Sequence, residues 1–291
     1  MDRKHFIQLA AKGVAMASVL KPSDIFAFLS NTKSDKLPAV FIGHGSPMNA
    51  LANNAFTLHL NQLGQNMERP NAILVISAHW LTTGTHVSIN PNPETIYDFG
   101  GFPQALFEVK YPAPGAPEFA KEVAKAITTT TVHHNHEMGL DHGAWTILKH
   151  IYPKADIPVF QMSIDYSKPA SYHYELAKEL DNLRSKGLLI ISSGNIVHNL
   201  RAIKWQEKEP TPYEWATEFD ELSKKYLLEK NHQPLLNWQN LGTAAHNSIP
   251  TPDHYYPLMY TLGLQGKEEQ VKFIHEEMQM ASVSLRSFII S

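Results

Sequence analysis

Four histidines stand in short signatures rich in glycine, proline, serine and asparagine, spread over more than two hundred residues of the chain. They are Gly43-His44-Gly45-Ser46-Pro47, Ser77-Ala78-His79-Trp80, Gly194-Asn195-Ile196-Val197-His198-Asn199 and Pro252-Asp253-His254. Neutral imidazole is a preferred ligand of divalent transition metals, and several imidazoles meeting at one point make a mononuclear site. The first three signatures each follow an apolar run that reads as a buried strand, residues 38–42, 72–77 and 188–192. In open α/β sheets ligands bind beyond the carboxyl ends of the strands, so the pattern predicts that these imidazoles converge there. The chemistry this implies is that of a mononuclear metal enzyme.

Each histidine also has a plainer reading. His44 lies between glycines that let the backbone approach a ligand, with Pro47 stiffening the exit, and the same turn suits a histidine bonded to its own backbone. His79 stands where a strand ends, with Trp80 placed to shield it from water, or it is a satisfied core residue. His198 follows a Ser-Ser-Gly-Asn turn and is expected in the first turn of a helix, as ligand, general base or cap partner. Pro250 and Pro252 fix the backbone before His254, and Asp253 offers a carboxylate as ligand or as a partner that orients an imidazole. His142 is a fifth candidate: Gly139-Leu140-Asp141-His142-Gly143 introduces a helix, which makes His142 a base or hydrogen-bond donor, or only a neighbour of the N-cap Asp141. His133-His134-Asn135-His136 lacks glycine or proline framing and reads as a solvated loop. No H-E-x-x-H, G-x-S-x-G or P-loop pattern occurs.

The elements that must position these groups follow from periodicity. Further strands are expected at 87–90, 128–132, 158–164, 271–274 and 283–289, the last two antiparallel to their neighbours. Helices are expected at 53–64, 118–127, from about 142 to 150, at 168–186 and at 212–229. Residues 91–117 are dense in proline, glycine and aromatics and read as a lid or substrate wall. Strands alternating with helices predict a single-domain α/β sandwich, a central mixed, mostly parallel sheet flanked by helices with the active site at strand C-terminal ends. Residues 37–291 form that catalytic domain and residues 1–36 an N-terminal extension. The extension, with Arg3-Lys4 before a moderately apolar stretch, reads either as a degenerate twin-arginine export signal or as an amphipathic helix and linker. A cytoplasmic location is expected, with the periplasm as the alternative if the extension directs export.

Composition narrows the chemistry. The 291 residues carry 25 basic and 28 acidic side chains, a net charge of −3, and no Lys/Arg stripe to neutralise a phosphate backbone, which argues against nucleic acid as a partner. No stretch reaches the roughly 18 uninterrupted apolar residues of a spanning helix, so no mature transmembrane segment is expected. The absence of cysteine excludes disulfides, iron–sulfur clusters and thiol nucleophiles, and any metal must be held by carboxylates and the 16 histidines.

Seven blocks together carry a more specific signal: FIGHGSPMNAL, AILVISAHW, YDFGGFPQALFEVKYPAPG, GLDHGAWTIL, IPVFQMSID, LLIISSGNIVHNLR and PTPDHYYPLMYTLG. In this order they resemble the class III extradiol ring-cleavage dioxygenases, in the 4,5-DOPA dioxygenase branch. The resemblance implies that His44, His79 and His254 bind the metal and that His198 is a further metal-site histidine. Three ligands leave room for a catechol and dioxygen, so His198 is expected to be an exchangeable ligand that serves as acid or base during turnover, with His142 as the second proton-handling group. The resemblance further implies Fe(II) for turnover, Zn(II) as an ion the same histidines accept, and a small catechol such as DOPA opened by O2 to a semialdehyde. Many relatives complete the triad with a glutamate, so Asp253 stays open as a carboxylate ligand. Two alternatives remain from the residues themselves: a zinc-dependent hydrolase using the same histidines, and a non-catalytic binding protein on this fold. The ring substituent and the oligomeric state are left open.

Overall fold

The computed structural model describes residues 36–207 and 210–291. Both readings of the N-terminal extension fall outside the described residues, apart from Lys36. The central sheet contains β1 (Ala39–Gly43), β2 (Ala72–Ser77), β3 (Val159–Gln161), β4 (Leu188–Gly194), β5 (Val271–His275) and β6 (Ser287–Ile290). Across the sheet the order is β3-β2-β4-β1-β6-β5. The first four strands of that order run parallel, β6 is antiparallel to β1 and β5 antiparallel to β6, which is the mixed, mostly parallel sheet expected.

Strand parity builds two cores. Ala39 and Phe41 of β1, Leu74 and Ile76 of β2, and Leu188 and Ile190 of β4 face one side. Val40, Ile42, Ile73, Val75, Leu189 and Ile191 face the other. Both faces are covered, which is why these strands read as continuous apolar runs. The first face carries α2 (Pro117–Ala126), α4 (Ala170–Lys178), α5 (Glu214–Leu228) and α6 (Tyr256–Gly263). The second carries α1 (Ala55–Asn66) and α3 (His142–Ile151). Register then sets the site: Gly43 pairs with Gly194 and Ser77 with Ser193, so β1, β2 and β4 end level and their turns leave the sheet along one edge. Among the described residues, no helix is long and apolar enough to cross a membrane.

Several elements differ from expectation for identifiable reasons. The strand expected at 128–132 lies at Val132–Asn135, parallel to Thr85–Ser88, because Thr128 and Thr129 hydrogen-bond the Glu179 carboxylate instead of a ladder. His133 and His134 are therefore in a strand, not a loop, although both are exposed as expected. The helix expected over 168–186 divides into α4 and a short turn at Asp181–Arg184. The strand expected at 283–289 also divides. Val283–Ser284 pairs with Met278–Gln279, and the chain turns at Arg286, whose buried guanidinium reaches Asp220 and Glu221 on α5. An unpaired guanidinium in that place would carry a heavy desolvation cost.

Away from the site, His173 on α4 is fully buried with its Nδ1 2.9 Å from the Tyr260 hydroxyl of α6. Burial pulls its pKa from the ordinary 6.5 down to about 4. The unfolded chain thus takes up a proton below pH 6.5 that the folded chain refuses until about pH 4, so stability present above pH 6.5 is lost as the pH falls through that window. The cost at pH 5 is about 2 kcal/mol. His173→Gln should lose less stability between pH 7 and pH 5 than the wild type in urea titrations, and an equal loss would refute this role for His173.

Candidate metal centre

The level strand ends deliver the histidines together. His44 follows β1 with its amide hydrogen-bonded to the Gly194 carbonyl at 3.1 Å, and His79 follows β2 with its amide on Ser77 Oγ at 3.2 Å. His254 sits on the loop before α6, where its carbonyl accepts the Asn195 amide at 2.8 Å. A side chain on Gly194 would place its Cβ 2.3 Å from that carbonyl oxygen, so only glycine lets the two segments meet. His198 is not in a helix: it forms an antiparallel bridge with Val283, and a short 3-10 turn follows at Leu200–Ala202. His142 opens α3 with Asp141 as N-cap, the Asp141 carboxylate accepting from the Ala144 amide and from Ser77 Oγ. Burial pushes the Asp141 pKa up to about 6.

All five imidazoles line one cavity of about 250 Å3. Ring centroids of His44, His79 and His254 lie 5.1, 5.3 and 4.9 Å apart in pairs, and His142 lies 3.8 Å from His79. His198 stacks on His254 at 3.5 Å with only 9° between the rings. Donor atoms of His44, His79 and His142 lie within 4.8 Å of one another, as do those of His198, Asp253 and His254. The His133 to His136 segment lies outside the cavity lining.

Hydrogen bonds decide which nitrogens point inward. Ser193 Oγ donates to the Gly143 carbonyl at 2.6 Å, so it accepts from His44 Nδ1–H at 3.0 Å and leaves Nε2 with a free lone pair. His79 Nδ1 faces Asp98 Oδ2 at 3.4 Å, which favours the proton there and again frees Nε2. His254 Nδ1 donates to the Asp253 carboxylate, which orients the ring as a carboxylate partner does in metal sites. The Nε2 atoms of His44 and His79 are 3.1 Å apart. Two lone pairs at that distance repel, but for nitrogens about 2.1 Å from a shared ion the separation corresponds to an angle of about 95°. The residues therefore fit a divalent transition metal.

The local field keeps His44, His79, His198 and His254 neutral, the form that binds metal. Burial, followed by the neighbouring histidines, holds His44 and His254 well below the ordinary range. Burial and His142 lower His79 to about 3, against the opposing pull of Asp98. Burial lowers His198 to about 4. For Asp98, burial works upward, but the hydrogen bond from His142 and the neighbouring imidazoles hold it below the usual carboxylate value.

Asp98 and Ser193 are the contributors that histidine spacing did not single out. The signal for Asp98 was a lone carboxylate inside Tyr97-Asp98-Phe99-Gly100-Gly101-Phe102, a segment read only as a wall. That wall is real: Asp98, Phe99 and Phe102 line the cavity. Trp80 is not part of the lining, and the apolar cover comes instead from Phe99, Phe102, Leu200, Trp205, Met280 and Val283. Met280 and Ala281 hold left-handed backbone at φ 50° and 70° in the turn that brings Met280 to the cavity, a costly conformation for non-glycine residues.

Comparison with known proteins gives one consistent picture. Residues 38–287 match the family model described as the catalytic LigB subunit of aromatic ring-opening dioxygenase. The chain is 45% identical over 259 residues to 4,5-DOPA dioxygenase extradiol of Escherichia coli (strain K12), covering 87% of this chain and 94% of that protein. It is 33% identical to 4,5-DOPA dioxygenase extradiol of Beta vulgaris, covering 85% and 94% respectively. The crystal structure of an uncharacterized protein from Escherichia coli K12 superposes with a TM-score of 0.77 at 40% identity, over 88% of this chain and 100% of that one.

Gly143 offers a direct test of how the site is positioned. A Cβ there would lie 2.5 Å from Ser77 Oγ and 3.0 Å from His79 Cδ2, so Gly143→Ala must displace the His79 ring. The variant should bind Fe(II) or Zn(II) at least about tenfold more weakly, as outer contacts of metal ligands typically do when lost, with an unchanged circular dichroism spectrum. Unaltered metal affinity would mean that His79 does not hold the ion.

Proposed function

Because the chain belongs to the family of the catalytic LigB subunit of aromatic ring-opening dioxygenases, we propose that it opens a catechol of the DOPA type with dioxygen, on an Fe(II) ion held by His44, His79 and His254. The observation that carries this reading is the meeting of the three neutral imidazoles at the ends of β1 and β2 and before α6, two of them with Nε2 atoms 3.1 Å apart. His44 and His254 are tied off at Nδ1 by Ser193 and Asp253, and His79 Nδ1 faces Asp98, so Asp253 acts on His254 and not as a ligand. Bound there, Fe(II) would supply affinity for the catechol oxygens and redox chemistry with dioxygen, and Zn(II) fits the same nitrogens without that redox chemistry.

The protein's own groups do the rest. Phe99, Phe102, Met280 and Val283 enclose the ring and exclude water, while the exposed Leu200 and Trp205 stand at the mouth. His198 lies in a plane parallel to His254 and 3.5 Å from it, so one ion cannot lie in both ring planes. It is at most a loose, exchangeable ligand and is free to give or take a proton at the substrate. His142, beside His44 and His79, takes the first catechol proton. The balance closes without another reagent. The carbon–carbon bond next to the diol breaks, both atoms of O2 enter the product, the hydroxyl-bearing carbon becomes a carboxylate and its neighbour an aldehyde.

Protein loaded anaerobically with Fe(II) should consume oxygen on addition of DOPA or another catechol and turn yellow, and the Zn(II)-loaded protein should do neither. His44→Ala, His79→Ala and His254→Ala should lose the metal. His198→Gln should keep it and lose about 10²–10³-fold in kcat, the usual reach of a positioned acid or base. Absence of oxygen uptake with every catechol, or full metal content in His44→Ala, would overturn the proposal.

A further inference from the structure

Asp98 is fastened to His142 twice. Its Oδ1 accepts the His142 amide at 2.8 Å and its Oδ2 accepts from His142 Nδ1 at 2.9 Å. One carboxylate thus binds both the main chain and the ring of the same residue, which removes the freedom of that ring to turn. The loop bearing Asp98 is itself anchored, since the Tyr97 hydroxyl donates to the Val109 carbonyl at 2.7 Å and the Phe99 ring meets His142 edge-on at 5.5 Å. His142 remains close enough to His44 and His79 for its donor atom to join theirs around an ion. The same ring lines the cavity, with Nε2 as the nitrogen left to meet a substrate.

We propose that Asp98 is the positioning residue for His142: it fixes the ring, holds its proton on Nδ1 and leaves Nε2 unprotonated toward the substrate. The inference rests on the ring-opening reading. In the step it serves, the proton of one catechol hydroxyl passes to His142 Nε2 while the O–H electron pair stays on the catechol oxygen. The imidazolium so formed keeps its Nδ1–H on the Asp98 carboxylate, which balances the charge. The proton returns to the enolate oxygen of the ring-opened product, so none is gained or lost.

Asparagine gives this role a signature that a scaffold role would not. In Asp98→Asn the side-chain oxygen stays with the His142 amide, which needs an acceptor, so the new NH2 group faces Nδ1. It can only donate there, which drives the imidazole proton onto Nε2, the nitrogen that must accept. Asp98→Ala leaves the tautomer free. The near-isosteric asparagine should therefore harm turnover more than alanine does.

The experiment compares wild type, Asp98→Asn, Asp98→Ala, Asp98→Glu and His142→Gln, all loaded with Fe(II), for metal content, KM and kcat with catechol, and the absorption spectrum of bound 4-nitrocatechol, which reports its ionisation. At saturating Fe(II), which fills the site even where loss of the Asp98 contact to His79 weakens it, metal content should be near one per chain throughout and KM within about threefold of wild type. The loss in kcat should be about 10³-fold for Asp98→Asn, about 10²-fold for Asp98→Ala, and partly recovered in Asp98→Glu. Bound 4-nitrocatechol should be less ionised in Asp98→Asn than in wild type. An Asp98→Asn protein that loses metal but turns over normally per bound ion would overturn the proposal and make Asp98 a support for His79 alone. So would Asp98→Asn and Asp98→Ala equal in kcat with unchanged 4-nitrocatechol spectra. A wild type that consumes no oxygen would instead sink the ring-opening reading on which the inference rests.

Discussion

The lone pairs of His44 and His79 face each other across 3.1 Å, a contact that repels unless a cation lies between them. Left alone, such a pair would relieve itself by sharing a proton or rotating apart. Neither is open here. Burial and the neighbouring imidazoles keep protons away, His44 is fixed at its outer nitrogen by Ser193, and the outer nitrogen of His79 faces Asp98. The fold spends stability to hold this arrangement, as sites built for a ligand do.

What keeps it in place is the sheet. Parity sends alternate residues of β1, β2 and β4 into two separate cores, and a one-residue slip would exchange every side chain between them and force both cores to repack. Level strand ends follow from that register. They bring Ser193 of β4 beneath His44 and Gly143 of α3 against Ser77, so one hydroxyl both orients a histidine and ties α3 to the sheet. The same packing carries His142 to the cavity, because α3 starts at an N-cap bonded to the end of β2.

Much of this was readable from residue order. Apolar runs ending in glycine or serine gave β1, β2 and β4, and the histidine beyond each of them lies at the cavity. Asp141 before Gly143 announced the start of α3. What escaped depends on contacts between distant segments. Ser193 matters only because β4 lies beside β1, and Asp98 only because its loop folds over α3 forty-four positions later in the chain. The strand at Val132–Asn135 was misplaced because Glu179, far along the sequence, claims the threonines that local propensity would put in a ladder. Spacing likewise could not show that His198 stacks flat on His254.

On the proposed function, His44, His79 and His254 share one ion while His142 and His198 face the substrate. Anomalous scattering at the iron edge, from crystals of the Fe(II)-loaded protein, tests this most directly. A single peak should lie about 2.1 Å from the Nε2 atoms of His44, His79 and His254, with the Nε2 of His142 and both nitrogens of His198 outside bonding distance or, for His198, at partial occupancy. A peak bonded by His142 in place of His254, or one held between His198 and Asp253, would contradict it.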